Sequence, residues 1–222
     1  MHKIHLPWQE IENVFLDMDG TLLDLHFDDH FWQDYLPRQY ANKHGLDFIA
    51  ALAELQPRFK AKEGSLQWYC IEHWSRELDM DVAALKKEIK HLIGIHDGVI
   101  KFLNTMRQMG KKVLLVTNAP HPVIELKLDH TGLHNYLDSI ISSHDLGAPK
   151  EDQQFWLKFQ AQETFNKQHC LFVDDSLAVL NSAQRFGIKY IVAIAKPSSQ
   201  RSAQVFSGFP MLKHFEDLLP TD

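Results

Sequence analysis

Two carboxylates, Asp17 and Asp19, directly follow a short apolar run at residues 14–16. If that run is a β-strand, residues two apart project to the same side, so both acids can face one site. Gly20 then permits the sharp turn that such a strand end requires. The alternative for an isolated Asp-x-Asp-Gly sequence is a turn in which the acids only accept hydrogen bonds from nearby backbone N–H groups.

Polar residues also follow three further apolar segments: Thr117 with Asn118, then Lys150, then Asp174 with Asp175. The carboxyl ends of parallel strands meet at one edge of a sheet, where such folds keep their ligand crevice. A carboxylate nucleophile, a hydroxyl, a lysine and an acidic pair are the parts needed for phosphoryl transfer to an aspartate with bound Mg²⁺. Because Mg²⁺ prefers oxygen ligands, the 14 histidines are not candidate ligands.

Strand and helix patterns alternate between these candidates. Apolar runs typical of strands buried on both faces lie at residues 14–16, 113–116, 140–141, 171–173 and 190–194. Helical patterns lie at residues 99–109, with Asp97 as a possible N-cap, and at 123–131, 155–165 and 177–186. This repetition predicts an α/β fold, a Rossmann-like doubly wound parallel sheet.

Residues 25–95 interrupt the alternation. They contain no convincing strand, and helical periodicity is found at residues 31–40, 48–59, 66–78 and 82–93. We therefore predict an α/β core formed by residues 1–24 and 96–222, with a helical cap domain inserted at residues 25–95. The polar stretch at residues 196–202 is predicted to be a surface loop.

Composition limits the possible partners. The chain of 222 residues has a net charge of −6, so no overall field favours a nucleic-acid polymer. No stretch approaches the ~20 apolar residues of a membrane span, and the first residues do not resemble a signal peptide. We expect a cytoplasmic protein, a monomer or weak dimer, in which Cys70 and Cys170 are buried free thiols rather than a disulfide.

The four polar segments resemble, in order, the motifs of the haloacid dehalogenase superfamily, and the length of the insert resembles its members with a C1 helical cap. This resemblance implies that Asp17 is the nucleophile, which forms an aspartyl-phosphate, and that Asp19 is the acid/base. It implies further that Thr117 and the backbone of Asn118 hold the phosphoryl oxygens, and that Lys150 pairs with Asp17 and the phosphate.

The same resemblance implies that Mg²⁺ is held by Asp17, by the backbone carbonyl of Asp19 and by acid from the fourth motif. There the sequence departs from the common pattern, because the usual second acid is replaced by Val179; Asp174 and Asp175 are both candidate ligands. The third motif also departs, since Lys150 is followed by glutamate rather than by proline. A solvated loop lysine is the alternative explanation for Lys150.

The presence of Asp19 favours phosphate chemistry over dehalogenation, because only the former has a leaving alkoxide to protonate. Substrate choice must come from the cap, where Trp68 or Tyr69 could stack on a nucleobase, although a small helical domain also needs aromatics for its own core. The strings LDLHFDDHFW (23–32), GSLQWYC (64–70) and PKEDQQFW (149–156) are similar to the bacterial GMP/IMP nucleotidase branch of the superfamily.

That similarity implies a Mg²⁺-dependent purine 5′-nucleotidase acting on a small-molecule phosphate monoester. A sugar-phosphate phosphatase, an organic-acid phosphatase or a phosphomutase on the same scaffold remains an alternative. A catalytically silent binding or scaffold protein is a further alternative, against which the complete set of motif residues argues. The Asp28–Asp29 pair could be a specificity element near the hinge, but two acids in a first helical turn are also common without such a role.

Overall fold

The computed structural model describes residues 3–220. Within this range the chain forms a parallel six-stranded sheet with the order β3-β2-β1-β4-β5-β6. The strands are β1 (Asn13–Leu16), β2 (Lys112–Thr117), β3 (Ser139–Ser142), β4 (Cys170–Asp174), β5 (Tyr190–Ile194) and β6 (Met211–Leu212). The predicted Rossmann-like sheet is confirmed, and β6 is a two-residue edge strand that the sequence pattern does not reveal.

Helices on both faces cover the sheet. Those of the core are α7 (Val99–Gln108), α8 (His121–Thr131), α9 (Ser143–Leu146), α10 (Gln153–Gln162) and α11 (Leu177–Phe186). Those between β1 and α7 are α1 (His26–His30), α2 (Leu36–His44), α3 (Phe48–Lys60), α4 (Leu66–Tyr69), α5 (Ile71–Leu78) and α6 (Val82–Glu88). We call the second set the helical insert.

Side chains alternate between two apolar clusters along each central strand. In β1, Val14 and Leu16 belong to one cluster and Phe15 belongs to the other. Successive strand residues point to opposite faces, so a strand with helices on both sides must be apolar at every position. This is why the central strands read as continuous hydrophobic runs instead of alternating ones.

The helical insert shares one of these clusters with the sheet. Phe27, Phe31 and Val82 are fully buried in the same contiguous cluster as Val14 and Leu16. The base of the insert is therefore packed against the core. The domain limits proposed from the sequence stay a prediction, and residues 1–2 and 221–222 of the proposed core lie outside the described residues.

Several predicted helix limits are wrong for local reasons. The pattern at residues 66–78 is two helices, because Cys70 is extended and its sulfur accepts a hydrogen bond from His73 N–H as the N-cap of α5. Gly98, with φ of 81°, and not Asp97 precedes α7. The pattern at 155–165 ends early because Glu163 is extended. Both cysteines are free as predicted, but Cys70 is only half-buried.

A π-helical turn, Phe31–Tyr35, joins α1 to α2. Pro37 lies in the first turn of α2 and has no N–H to donate to the carbonyl four residues earlier, which disfavours a regular α-helix at this point. The turn carries Trp32 and Gln33 to the cavity described below. Across residues 3–220, none of the helices combines the length and the apolar character needed to cross a bilayer.

Candidate active site

The predicted site residues lie at the carboxyl edge of the sheet. Asp17 follows β1 and donates its backbone N–H to the carbonyl of Val173 on the neighbouring strand, at 3.0 Å. Thr117 and Asp174 are the last residues of β2 and β4. Because β1 lies between these two strands, the parallel pairing alone brings the three side chains to one place.

Lys150 is buried at the centre of this edge. Its Nζ lies 2.5 Å from Asp17 Oδ1, 2.7 Å from Asp174 Oδ2 and 3.1 Å from the carbonyl oxygen of Val116. Burial by itself would lower the pKa of Lys150, but the adjacent carboxylates raise it above its ordinary value. The lysine therefore stays charged, and the alternative of a solvated loop lysine is wrong.

Three acids surround this lysine. Asp17, Asp174 and Asp175 each offer an oxygen within 4.8 Å of the others, the group of possible metal ligands found among the described residues. Burial raises the pKa of Asp17 to about 6, and burial together with the charge of Asp174 raises that of Asp175 well above its ordinary range. Three carboxylates against one ammonium leave negative charge uncompensated. We name Asp17, Asp174, Asp175 and Lys150 the Lys150 group.

Gly20 allows Asp175 to approach the first strand. Its φ is +83°, and a Cβ placed on it would lie 2.6 Å from Asp175 Oδ2. Both the left-handed backbone and the lack of space therefore require glycine here. The turn after β1 and the acid after β4 are thus fitted to each other.

Thr117 and Asn118 line the cavity together with the acids. The Thr117 hydroxyl oxygen accepts a hydrogen bond from Ala119 N–H at 3.0 Å. The Asn118 side chain accepts from the backbone N–H of Lys150 at 2.9 Å and donates to Glu151 at 3.0 Å. These contacts hold the loop after β2 against the loop that carries the lysine.

Asp19 has a different hydrogen-bond partner from Asp17 and Asp174, which both contact Lys150. Its Oδ1 accepts a hydrogen bond from Lys127 Nζ at 2.5 Å, and the same ammonium lies 2.5 Å from Asp28 Oδ2. Asp28 Oδ1 in turn accepts from Lys86 at 2.8 Å. We name these four residues the Lys127 group. The side chain of Asp19 is not in the group of possible metal ligands, and its proposed contribution through the backbone carbonyl stays a prediction.

The two lysines set the electrostatics of the Lys127 group. Burial raises the pKa of Asp19 to about 6, and Lys127 opposes this rise. Burial would also raise the pKa of Asp28, but Lys127 and Lys86 hold it well below its usual range. Asp28 therefore stays ionised at neutral pH, where its carboxylate lies between the two ammonium groups.

A cavity of about 720 Å³ lies between both groups and the helical insert. Its wall on the insert is largely aromatic, with Trp32, Phe59, Trp68, Tyr69 and Trp74. The rings pack edge to face, with centroids 5.5 Å apart for Trp32–Phe59 and 5.0 Å for Phe59–Trp74. One cavity is therefore lined both by charged residues of the two groups and by the aromatic side chains of the insert.

Tyr69 links this wall to the sheet edge. Its hydroxyl donates a hydrogen bond of 2.6 Å to Glu151, the residue that also accepts from Asn118. Burial and the neighbouring carboxylate strongly raise the pKa of the Tyr69 phenol, so the hydroxyl remains a donor. The departure from Lys-Pro in the third motif thus has a structural role: glutamate accepts two hydrogen bonds that proline could not.

The family model described as haloacid dehalogenase-like hydrolase matches residues 11–187. The chain belongs to this family. The resemblance inferred from the four motifs is therefore confirmed, and the catalytic roles that it implies for the residues at the sheet edge stay predictions.

The GMP/IMP nucleotidase YrfG of Escherichia coli K12 is 36% identical to this chain over 221 residues, which cover 100% of this chain and 99% of the relative. A phosphoglycolate phosphatase of Rhodobacter capsulatus is 26% identical over 44% of each chain. The chain is a phosphatase of this family, that is, a phosphoric monoester hydrolase.

Solved structures share the fold. A HAD phosphatase from Thermococcus onnurineus has a TM-score of 0.76 at 21% identity, covering 93% of this chain and 95% of its own. These values agree with the six-stranded parallel sheet and with the insert after its first strand.

Three site residues are not found by reasoning from the sequence. Lys127 is buried among Val123, Ile124 and Leu128 on the inner face of α8, and a lysine at such a position is the signal that could have found it. Lys86 similarly lies on the buried face of α6. Arg201, from the polar stretch predicted as a surface loop, lines the cavity and pairs with Asp29.

Proposed function

We propose that this phosphatase is a Mg²⁺-dependent 5′-nucleotidase whose substrates are the purine monophosphates GMP and IMP. The observation that carries the substrate class is the 36% identity to the E. coli GMP/IMP nucleotidase, which extends over the whole chain. The aromatic wall of the cavity supports it, because a purine ring can stack on indole and phenol faces for about 1–3 kcal/mol per base.

In the proposed reaction the Asp17 carboxylate attacks the phosphorus atom and forms an aspartyl-phosphate, while the O5′ leaving group takes a proton from Asp19. Water activated by Asp19 then releases phosphate and restores Asp17. Lys150 offsets the repulsion between the carboxylate and the phosphate dianion. The Thr117 hydroxyl and the backbone N–H of Asn118 donate to the equatorial oxygens.

The donor set of the Lys150 group fits Mg²⁺. It offers only carboxylate oxygens, which the ion prefers, and its uncompensated charge favours a divalent cation. Asp17, Asp174 and Asp175 would hold the ion together with the backbone carbonyl of Asp19. When bound, Mg²⁺ would neutralise charge on the transferring phosphoryl group.

The helical insert would serve as the cap. Trp68 and Tyr69 line the same cavity as the carboxylates, so a substrate with its phosphate at Asp17 can extend its base toward them. A closed insert would exclude bulk water during formation of the aspartyl-phosphate.

The test is phosphate release from GMP, IMP, AMP, phosphoglycolate and sugar phosphates, each with Mg²⁺ and with EDTA. We expect Mg²⁺-dependent release that is far greater from GMP and IMP. Trp68→Ala should lower kcat/KM for nucleotides and leave kcat/KM for a small alkyl phosphate unchanged. Release spread over sugar phosphates would refute the nucleotide assignment, and isomerised sugar phosphate without release would indicate a mutase.

A further inference from the structure

Asp28 connects the helical insert to the acid/base of the core. The carboxylate lies on α1 at the start of the insert; one oxygen accepts from Lys127 of the core helix α8, and the other accepts from Lys86 of the insert helix α6. Both lysines are buried, with side chains 1% and 2% exposed. The chain of contacts ends on Asp19, whose oxygen lies 2.5 Å from Lys127 Nζ.

We propose that Asp28 is a positioning residue for the acid step: it fixes the Lys127 ammonium, which in turn orients the Asp19 carboxyl toward the leaving oxygen. The proposal rests on the acid role given to Asp19 above, but not on the identity of the nucleoside. The Asp28–Lys127 contact makes this orientation depend on the docked insert, and Lys86 holds Asp28 in place from α6.

Stability alone does not account for this arrangement. Desolvating two ammonium and two carboxylate groups costs free energy that their attraction only partly returns, and apolar residues of similar volume often serve equally well. One lysine would suffice to balance Asp19. The second carboxylate and the second lysine add rigidity, since Lys127 is held from two sides and Lys86 is further held over the Phe31 ring, 4.3 Å from its centroid.

The surroundings of Asp28 also favour a role at the reacting end of the substrate. Asp28, Asp19 and Lys86 all line the cavity, together with the nucleophile Asp17. A change in the charge of Asp28 would therefore act on Asp19 through one residue, Lys127. An ion pair buried elsewhere in the core would have no such path.

The experiment uses leaving-group dependence, which a merely structural role would not produce. An alkoxide leaving from GMP must be protonated, whereas 4-nitrophenolate leaves as a stable anion and needs no acid. For Asp28→Asn we expect kcat/KM to fall by about 100-fold on GMP, or on the best alkyl phosphate of the panel, and by less than about threefold on 4-nitrophenyl phosphate. The ratio kcat/KM is compared because it includes the step in which the leaving group departs.

Asp34→Asn is the matched control. It is the same substitution near the same helix, in an exposed pair with Arg38, and both substrates should be unaffected. Equal losses of kcat/KM for Asp28→Asn on the two substrates, or no loss on either, would overturn the proposal.

Asp19→Asn separates this proposal from the one on which it rests. If Asp19→Asn loses activity selectively on GMP and Asp28→Asn does not, the positioning role fails while the acid role stands. If Asp19→Asn itself loses equally on both substrates, the acid role fails.

Lys86→Met keeps the test decisive should Asp28→Asn not fold. This variant leaves Asp28 on Lys127 and removes only the contact between Asp28 and α6. We expect a GMP-selective loss of about tenfold, smaller than that of Asp28→Asn. A loss that is equal on the two substrates, or no loss, overturns the proposal here as well.

Discussion

The two lysine-centred groups at the sheet edge have the same geometry but different charge. In each, a buried lysine bridges two aspartates: Lys150 joins Asp17 and Asp174, and Lys127 joins Asp19 and Asp28. The Lys150 group contains a third carboxylate, Asp175, whereas the Lys127 group contains a second lysine, Lys86. The first is therefore negative overall and the second is neutral.

This difference separates two tasks within one cavity. Uncompensated carboxylates attract a divalent cation, and such a cation favours phosphoryl transfer. The excess of carboxylates therefore suits a position beside the proposed nucleophile, Asp17. The proposed proton donor Asp19 lies in a group whose two lysines balance its two carboxylates, so this group needs no metal ion to offset its charge. The two groups also differ in their contacts with the helical insert. The Lys127 group includes the buried charge of Lys86, whereas beside the Lys150 group the Tyr69 hydroxyl donates one hydrogen bond to Glu151.

Substitution of Asp17, the proposed nucleophile, should have the largest effect. Asp17→Asn should lower turnover by about 10⁴-fold or more and abolish the aspartyl-phosphate, because no other carboxylate replaces the attacking oxygen. Phosphate release and acid-quench trapping of the phosphoenzyme measure the two effects. Substantial turnover by Asp17→Asn, with deamidation excluded by mass spectrometry, would refute the mechanism.

Replacing one aspartate by asparagine in each group should change the free energy of unfolding, with opposite signs for the two groups. In metal-free protein, Asp28→Asn should lower the free energy of unfolding by about 3–5 kcal/mol, because it leaves two buried ammonium groups underpaired. Asp175→Asn should raise it by about 1–2 kcal/mol, because it removes a half-buried carboxylate that repels Asp17 and Asp174. Urea unfolding in EDTA measures both, and effects of equal sign would contradict the comparison.

The stability contributed by Asp28 should depend on pH. Its folded-state pKa lies below the ordinary 3.8, so the contribution is complete well above 3.8 and is lost as the pH falls through the folded-state value. The difference in unfolding free energy between wild type and Asp28→Asn should narrow as the pH falls below 3.8. A difference unchanged at acid pH would show that charge is not its cause.

The smallest effect is expected at the neutral contact with the insert. Tyr69→Phe removes the hydrogen bond to Glu151 but keeps the ring, so the free energy of unfolding should fall by about 0.5–1.5 kcal/mol. Because the ring remains on the cavity wall, KM for GMP should change little. A loss as large as that of Asp28→Asn would mean that both contacts with the insert carry similar energy.

Much of the site could be predicted because most of the motif residues lie at the end of a strand or directly after it. Asp17, Thr117 and Asp174 need only the parallel pairing of β1, β2 and β4 to meet. Lys150 required more, since it lies on a loop beyond α9, and the family resemblance identified it. Trp68 and Tyr69 line the cavity, but helical spacing could not separate them from aromatics that fill the core of the insert.

Sequence alone determined the sheet, the insert and the motif acids, because continuous apolar runs, helical periodicity and residues next to strand ends are local properties of the chain. Only the tertiary structure decided the partners of those acids. Lys127 lies 108 positions from Asp19 and 99 from Asp28, and Lys86 lies 58 from Asp28. A charge balance depends on which side chains share a buried volume, and that is settled when the insert packs on the core.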